Sequence, residues 1–487
     1  MFTFLPALFL LFAAPSADTL DQQIKKIVDV FSIVRGEAAD PVEADKAFYE
    51  GAIPGMLKKL DPHSVFFDPQ QFEQLQQMER SERKGFGSVV SLLPGRVIVL
   101  QTLPNTPSAR SGISPGDEIL GINGIRLDRL QVEQLVQLLT ESRQQKVELM
   151  VRRPGNARLM QFTLTPETVD SPSVDRAFLL RPGIAFVRVA SFDIATGKQL
   201  QDAIEKLGGS QLKGLVLDLR NNPGGVMSAA LDTATLFLQP KQRILTIRGR
   251  AKKDDEANVK DSATPYTFPV AVVINGKSAS ASEIVAGALQ DHDRASIIGE
   301  PSFGKGLVQS VYPLSHNTGL ALTTAFYYTP SGRSIQHRLT GALDEATKEI
   351  SETKQSNFHS DSGRVLNGGS GGIQPDQVVY PRGVTPLGAV LETSGAFPTF
   401  ATEWLKGHSG IGASFEVSNE MLDQFQLELS QNNIRPSIGD WSKESEWIRS
   451  RLKQEILNQA VGVEKGDEVE MQTDPQVKAA VAAISAR

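Results

Sequence analysis

The chain contains no cysteine in its 487 residues. That absence excludes disulfides, thiolate catalysis, cysteine-ligated zinc and a lipid-modified cysteine anchor. It fits an exported bacterial protein. Histidine is sparse as well. His63, His292, His316, His337, His359 and His408 are scattered, and no two stand at H-x-x-x-H spacing. A metal site and a histidine-based triad are therefore not expected. Basic residues show no excess: 50 Lys and Arg stand against 56 Asp and Glu, for a net charge of −6. Nothing in that balance points to a nucleic-acid or anionic-membrane surface. Long hydrophobic runs are missing too. The apolar stretch Phe2 to Ala14 is too short to span a bilayer comfortably. With the small residues that follow, it reads first as a secretory signal over 1–17, cleaved near Ala17, the alternatives being an uncleaved anchor or a buried helix. On the signal reading, export to the bacterial periplasm or cell envelope is expected, with no integral membrane span in the mature chain. No repeat of solenoid period is present.

What is there divides by period. At this length two or three domains are expected. Residues 18–83 read as a helical region, because Ile24, Ile27, Val28, Phe31 and Val34 recur at helical spacing. The pattern resumes at Phe48–Leu60 and Phe72–Met78, broken at Pro62 in LDPHSVFF. Over 84–168 short β-like runs (SVVSLL, RVIVLQTL, DEILGINGI, KVELMVRR) alternate with turn signals such as Ser114-Pro115-Gly116-Asp117. One helix, Leu130–Leu139, precedes the last of these runs. This describes a small, partly open β-barrel. Over 169–382 strand and helix alternate: IAFVRVAS before Thr196–Leu207, GLVLDLR and NNPGG before Val226–Leu238, PVAVVIN before SASASEIVAGALQ. Such alternation predicts an α/β layer with parallel crossings. Within it, 337–371 is a polar insertion ending in NGGSGG. Residues 383–487 read as a second helical region, with Ile448, Leu452 and Ile456 on one apolar face.

Two strings carry the chemistry. Ser280 lies in NGKSASASEIVAGALQD and Lys305 in GEPSFGKGLVQ, twenty-five residues on. A serine hydroxyl needs a base, and a lysine can serve only when neutral. At the ordinary pKa near 10.4, about one lysine in a few thousand is neutral at pH 7. Burial beside Phe303 and Val308 would lower that pKa. Gly304 and Gly306 let the backbone come close, and Gln309 could orient the amine. Ser280 falls between a strand and a helix, so the Ala281 N–H would point at a developing oxyanion. A second donor could come from NNPGG.

Each string has a plainer reading. SASAS could be a helix start with spare cap serines, Ser278 and Ser282. GEPSFGKG nearly matches a phosphate loop, but Gly306 stands where Ser or Thr should hold magnesium. GGSGG matches a nucleophile elbow without a strand before it or a helix after it.

Together these strings resemble the carboxyl-terminal processing (tail-specific) protease family. The resemblance runs from about Leu60 to Asp376. It includes LDPHS, GFGSVV, the run Asn105–Ile125, DLRNNPGG, TPSGRSIQ and GIQPD. It implies a crotonase/ClpP-like α/β protease core, a PDZ domain inserted near its start, and helical N- and C-terminal regions. It implies Ser280 as nucleophile, Lys305 as general base and Gln309 as its orienting partner. Ala281 would form the oxyanion hole with Gly225, or with Gly224 beside it. Gly85, Phe86, Gly87 and Ser88 would form the loop that binds a substrate carboxylate. The chain departs from the family pattern in two places. Pro223 stands first in the usual Gly-Gly-Gly, and relatives are often shorter between Gln336 and Gly372.

The implied activity is serine endopeptidase cleavage of exported proteins. Unfolded or flexible C-termini would be the substrate, and no cofactor is required. A homo-oligomer and an adaptor protein are compatible with it. The rival is a peptide-binding scaffold of the same fold without proteolysis. Such a scaffold would have no need of Ser280, Lys305 and Gln309 together.

Overall fold

The strand Val270–Ile274 is apolar at every position, as a strand covered on both faces requires. In the computed structural model it lies inside a six-stranded sheet. The order is Val174–Arg181, Ile184–Val189, Gly214–Asp218, Val270–Ile274, Ala295–Gly299, Gln377–Val378. The first pair is an antiparallel hairpin and every later pairing is parallel. The structure describes residues 17–79, 82–93, 95–154, 156, 158–250, 252–337, 358–367 and 371–486. The signal segment and most of the polar insertion, with the centre of GGSGG, lie outside them.

Side chains alternate along each strand between two cores. Val187, Leu217, Val272 and Ile297 meet the helices Thr196–Leu207, Met227–Thr235 and Ala281–Asp291. Phe186, Val216, Val273 and Ile298 meet Val477, Val481 and Ile484 of the last helix, Pro475–Ser485. The C-terminal end thus covers the second face of its own chain's sheet. Each such buried side chain contributes about 1.5–3 kcal/mol, so the last helix belongs to the core rather than to an appendage.

A second sheet joins Val65–Phe67, Gly319–Tyr328, Arg243–Gly249 and Lys252–Asn258, with Leu307–Pro313 along the other side of Gly319–Tyr328. LDPHS is therefore more than a break between helices: the residues after it add a strand. Before it, the chain is helical over Ala17–Glu37 and again from Ala44 to Leu57, the latter with one π-helical stretch. Leu20, Ile24, Ile27 and Ile33 of the first helix are exposed.

The β-like runs after Lys84 form a sheet ordered Ser88–Leu93, Arg96–Thr102, Glu118–Ile122, Val147–Arg152, Met160–Leu164. Its helix, Val132–Ser142, begins two residues later than the apolar pattern places it. Leu135 and Val151 lie in its core. A ribbon of Glu82–Gly85 with Glu167–Asp170 closes its entry and exit. The module rests on a bundle of Pro386–Thr393, Ala396–Lys406, Asn419–Gln431 and Ile438–Ala460, built around Phe397, Phe425, Ile448, Leu452 and Ile456. Arg96 Nη1 donates to Thr399 Oγ1 across this contact, at 3.1 Å. Among the described residues no helix is long and apolar enough to cross a membrane.

Candidate active site

Ser280 sits on the turn between the strand Val270–Ile274 and the helix Ala281–Asp291. Its φ of 55° and ψ of −111° are unusual for a residue with a β-carbon. Strain of this kind costs on the order of 1–3 kcal/mol and persists where the surroundings enforce it. The three serines of SASAS are not equivalent. Ser278 is fully buried and its Oγ donates to Leu219 O at 2.8 Å. Ser282 is fully buried and donates to Asn222 O at 3.1 Å. Ser280 is half-buried, and among the described residues no carbonyl accepts from its Oγ.

NNPGG runs alongside this elbow. A β-carbon on Gly224 (φ 96°) would lie 2.8 Å from Ser280 Cβ and 2.9 Å from Ala281 N. One on Gly225 (φ 145°) would lie 2.0 Å from Phe192 O. Only glycine lets this loop pass so close to the serine. The Gly224 N–H is taken up by Asn222 Oδ1 at 2.8 Å. Among the described residues, the N–H groups of Gly225 and Ala281 have no protein acceptor. The loop is tied down from outside the sheet. Arg220 pairs with Asp218 on its own strand end and with Asp474, at 2.6 Å, at the start of the last helix.

Lys305 lies in the extended segment ahead of the strand Leu307–Pro313. No helix N-terminus follows it, so the phosphate-loop geometry is absent. Its Nζ donates to Gln309 Oε1 at 2.8 Å, and Gln309 Nε2 donates to His63 O at 2.6 Å. Gln309 does this from the strand itself. Among the described residues no hydrogen bond joins Lys305 Nζ to Ser280 Oγ. Burial pushes the lysine pKa down; the Glu283 carboxylate opposes that shift without cancelling it. The nearby His63 is pushed down by burial and then by Lys305. LDPHS thus supplies an acceptor to the lysine's partner, and Asp61 holds its turn by accepting from the N–H groups of His63 and Ser64.

Two residues that the sequence reading passed over join the serine to the lysine. Glu283 is fully buried. Its carboxylate accepts from Ser280 N (2.8 Å), Ser302 Oγ (2.6 Å), Gly304 N (2.7 Å) and Lys305 N (2.9 Å). Burial pushes its pKa up, and these four donors work against that push. Every partner is a donor, which matches an ionised acceptor. Ser-x-x-Glu at a helix start is the signal that could have revealed it. Tyr327, also buried, donates from its hydroxyl to Lys305 O at 2.9 Å and lies 3.1 Å from Ser280 O. Tyr327→Phe keeps the ring and removes this link. We expect it to cost about 1–2 kcal/mol of stability and several-fold in kcat, read from denaturant melts and steady-state rates.

Gly85, Phe86, Gly87 and Ser88 lie apart from the serine. They line a cavity of about 260 Å³ floored by Val90, Leu139 and Leu149. Phe86 O and Gly87 O accept from Ser108 N and Leu103 N, which fixes the loop. His292 is remote from this chemistry. Its ring bonds Asp361 and Arg243 O at the far end of the Ala281–Asp291 helix.

The strained serine elbow thus lies in a mostly parallel α/β sheet beside a lysine-bearing loop, with a separate groove module. Residues 183–342 match Peptidase family S41, and residues 75–152 match the PDZ domain. The chain is 37% identical over 322 residues to the carboxy-terminal-processing protease of Bartonella bacilliformis, covering 65% of this chain and 73% of that one. It is 30% identical to the carboxy-terminal processing protease CtpA of Bacillus subtilis, covering 66% and 69%. Among solved structures, a photosystem II D1 C-terminal processing protease aligns at 24% identity and a TM-score of 0.40, covering 75% and 94%. The chain belongs to the carboxy-terminal processing protease family.

Proposed function

We propose that this protein is an exported serine endopeptidase with Ser280 as nucleophile and Lys305 as general base. One observation carries the reading. Of the three serines in SASAS, only Ser280 keeps its hydroxyl from a backbone carbonyl, and it does so on a strained elbow pinned to the lysine loop. Lys305 is half-buried, and burial lowers its pKa, which favours the neutral form that a general base requires.

In the resting arrangement Lys305 is held by Gln309. Catalytic hydrogen bonds often tighten only when substrate binds. In the reaction, Lys305 Nζ takes the Ser280 Oγ proton as Oγ attacks the peptide carbonyl. The Ala281 and Gly225 N–H groups receive the oxyanion. The protonated lysine returns the proton to the leaving amine, and an acyl-enzyme forms. Neutral Lys305 then activates water to release the acid. No cofactor takes part. The test compares wild type with Ser280→Ala and Lys305→Ala on an unfolded protein with a free C-terminus. Cleavage surviving either substitution contradicts the dyad.

The groove at Gly85–Ser88 would hold the substrate C-terminus, its carboxylate on the loop N–H groups and its last side chain on Val90 and Leu139. Leu139→Arg should raise KM for a substrate with a free C-terminus by about tenfold or more. That is the loss of a buried leucine contact worth about 1.5–3 kcal/mol. The rate at which a fluorophosphonate labels Ser280 should not change. The exposed apolar face of Ala17–Glu37 supports assembly as a homo-oligomer.

A further inference from the structure

We propose that Gln336 and His337, where the long segment up to Gly372 leaves the core, are positioning residues for Lys305. The proposal rests on the dyad reading and assigns a role to a stretch which that reading leaves idle.

The two residues grip the lysine from both sides. His337 N donates to Gly304 O at 3.0 Å, just before Lys305. Gln336 Oε1 accepts from Gly306 N at 2.8 Å, just after it, while Gln336 Nε2 donates to His337 O at 2.7 Å. The imidazole is wedged between two glycines. A β-carbon on Gly304 would lie 2.1 Å from His337 Cδ2, and one on Gly371 would lie 2.1 Å from Nδ1. The ring, although His337 is exposed, thus lies against both the lysine loop at Gly304 and the returning end of the segment at Gly371. The returning end adds its own tie: Gly372 N donates to Ile335 O at 2.8 Å, and Ile373 N donates to Ser302 Oγ at 2.6 Å. Ser302 Oγ in turn donates to Glu283.

The far part of the segment is anchored as well. Asp361 N donates to Asp291 O at 2.9 Å, and Ser362 N to Asp293 Oδ2 at 2.7 Å. Arg364 pairs with Asp293 and Asp376. The segment thus connects the C-terminal end of the helix begun by Ser280 to the loop that carries Lys305. Glu283 fixes the lysine loop from the helix side; Gln336 and His337 fix it from the opposite side. Without them the loop can retreat from the serine and admit water to the amine.

The experiment uses the full chain and two opposite perturbations. His337→Ala removes the wedge, and Gly371→Ala displaces it. A catalytic group misplaced by 1 Å can cost about a hundredfold. Both variants should therefore lose roughly ten- to a hundredfold in kcat on a peptide with a free C-terminus, with KM within about twofold of wild type. The pH profile of fluorophosphonate labelling at Ser280 should move to higher pH, because a more solvated lysine holds its proton longer. Unchanged kcat and pH profile in both variants would overturn the proposal. So would lost activity accompanied by a lower melting temperature and an unmoved pH profile, since that is a merely structural role. A rise in KM alone would also overturn it, placing the ring against substrate instead. Ser280→Ala runs in parallel: cleavage surviving there sinks the dyad reading itself, whatever His337 does.

Discussion

Replacing Lys305 with alanine should lower kcat by roughly three to six orders of magnitude, the range seen when the base of a serine peptidase is removed. KM for a substrate with a free C-terminus should stay within about threefold, because the loop proposed to hold the carboxylate is a separate structure. A lysine at its ordinary pKa near 10.4 leaves about one molecule in a few thousand competent at pH 7. Burial lowers that value here, and Glu283 raises it by less. The base form is neutral, so activity must rise with pH through the lysine's lowered pKa and then level off. Lysine at ordinary exposure would put that rise near pH 10; this site should put it lower. In Lys305→Ala the rising limb should vanish along with the rate. Steady-state kinetics across pH on both proteins measures this. The fold should survive the substitution, since the Lys305 backbone, not its side chain, carries the loop's contacts to Glu283 and Tyr327.

Glu283→Gln should be the next most damaging change, at about a hundredfold or more in kcat together with a loss of about 2–3 kcal/mol in stability. The carboxylate faces four donors: three backbone N–H groups and the Ser302 hydroxyl. A glutamine presents one oxygen and one NH2, so its amide must turn two hydrogens toward donors. At least one buried N–H is then left unpaired, which costs on the order of 1–3 kcal/mol. If the NH2 takes the Oε2 place, the released groups are the N–H of Ser280, which helps hold the strained elbow, and that of Lys305; if it takes the Oε1 place, the released N–H is that of Gly304. Removing the charge by itself would favour a neutral lysine, because Glu283 raises its pKa. A loss of kcat in Glu283→Gln would therefore show that positioning outweighs electrostatics at this residue. Denaturant melts and kcat, measured on the same preparation, separate the two contributions.

The parts of this architecture that the sequence made legible are local. PVAVVIN followed by SASASEIVAGALQ announces a strand, a turn and a helix, and the elbow is there. NNPGG lies between Gly214–Asp218 and Met227–Thr235 for the same reason. Thr196–Leu207 matches its apolar pattern end to end. What stayed hidden depends on distant partners. The acceptor for Gln309 is the carbonyl of His63, and a backbone carbonyl has no sequence signature. Tyr327 reads as one more apolar strand residue; only the register of Gly319–Tyr328 brings its hydroxyl to Ser280 and Lys305. The last helix shows an apolar face, but a face does not say what it covers. Here it covers the sheet through Val477, Val481 and Ile484. That the Gly224 N–H is spent on Asn222 while the Gly225 N–H has no acceptor among the described residues also needed geometry.

The central claim is that a neutral Lys305 activates Ser280. The measurement closest to it is the rate of covalent labelling of Ser280 by a fluorophosphonate across pH, in wild type and in Lys305→Ala, with the labelled residue identified by mass spectrometry. The dyad predicts label on Ser280 alone. It predicts a single rising limb whose midpoint lies below the ordinary lysine value of about 10.4, and loss of both rate and limb in Lys305→Ala. Label on Ser278 or Ser282, or a profile that Lys305→Ala leaves unchanged, would contradict it.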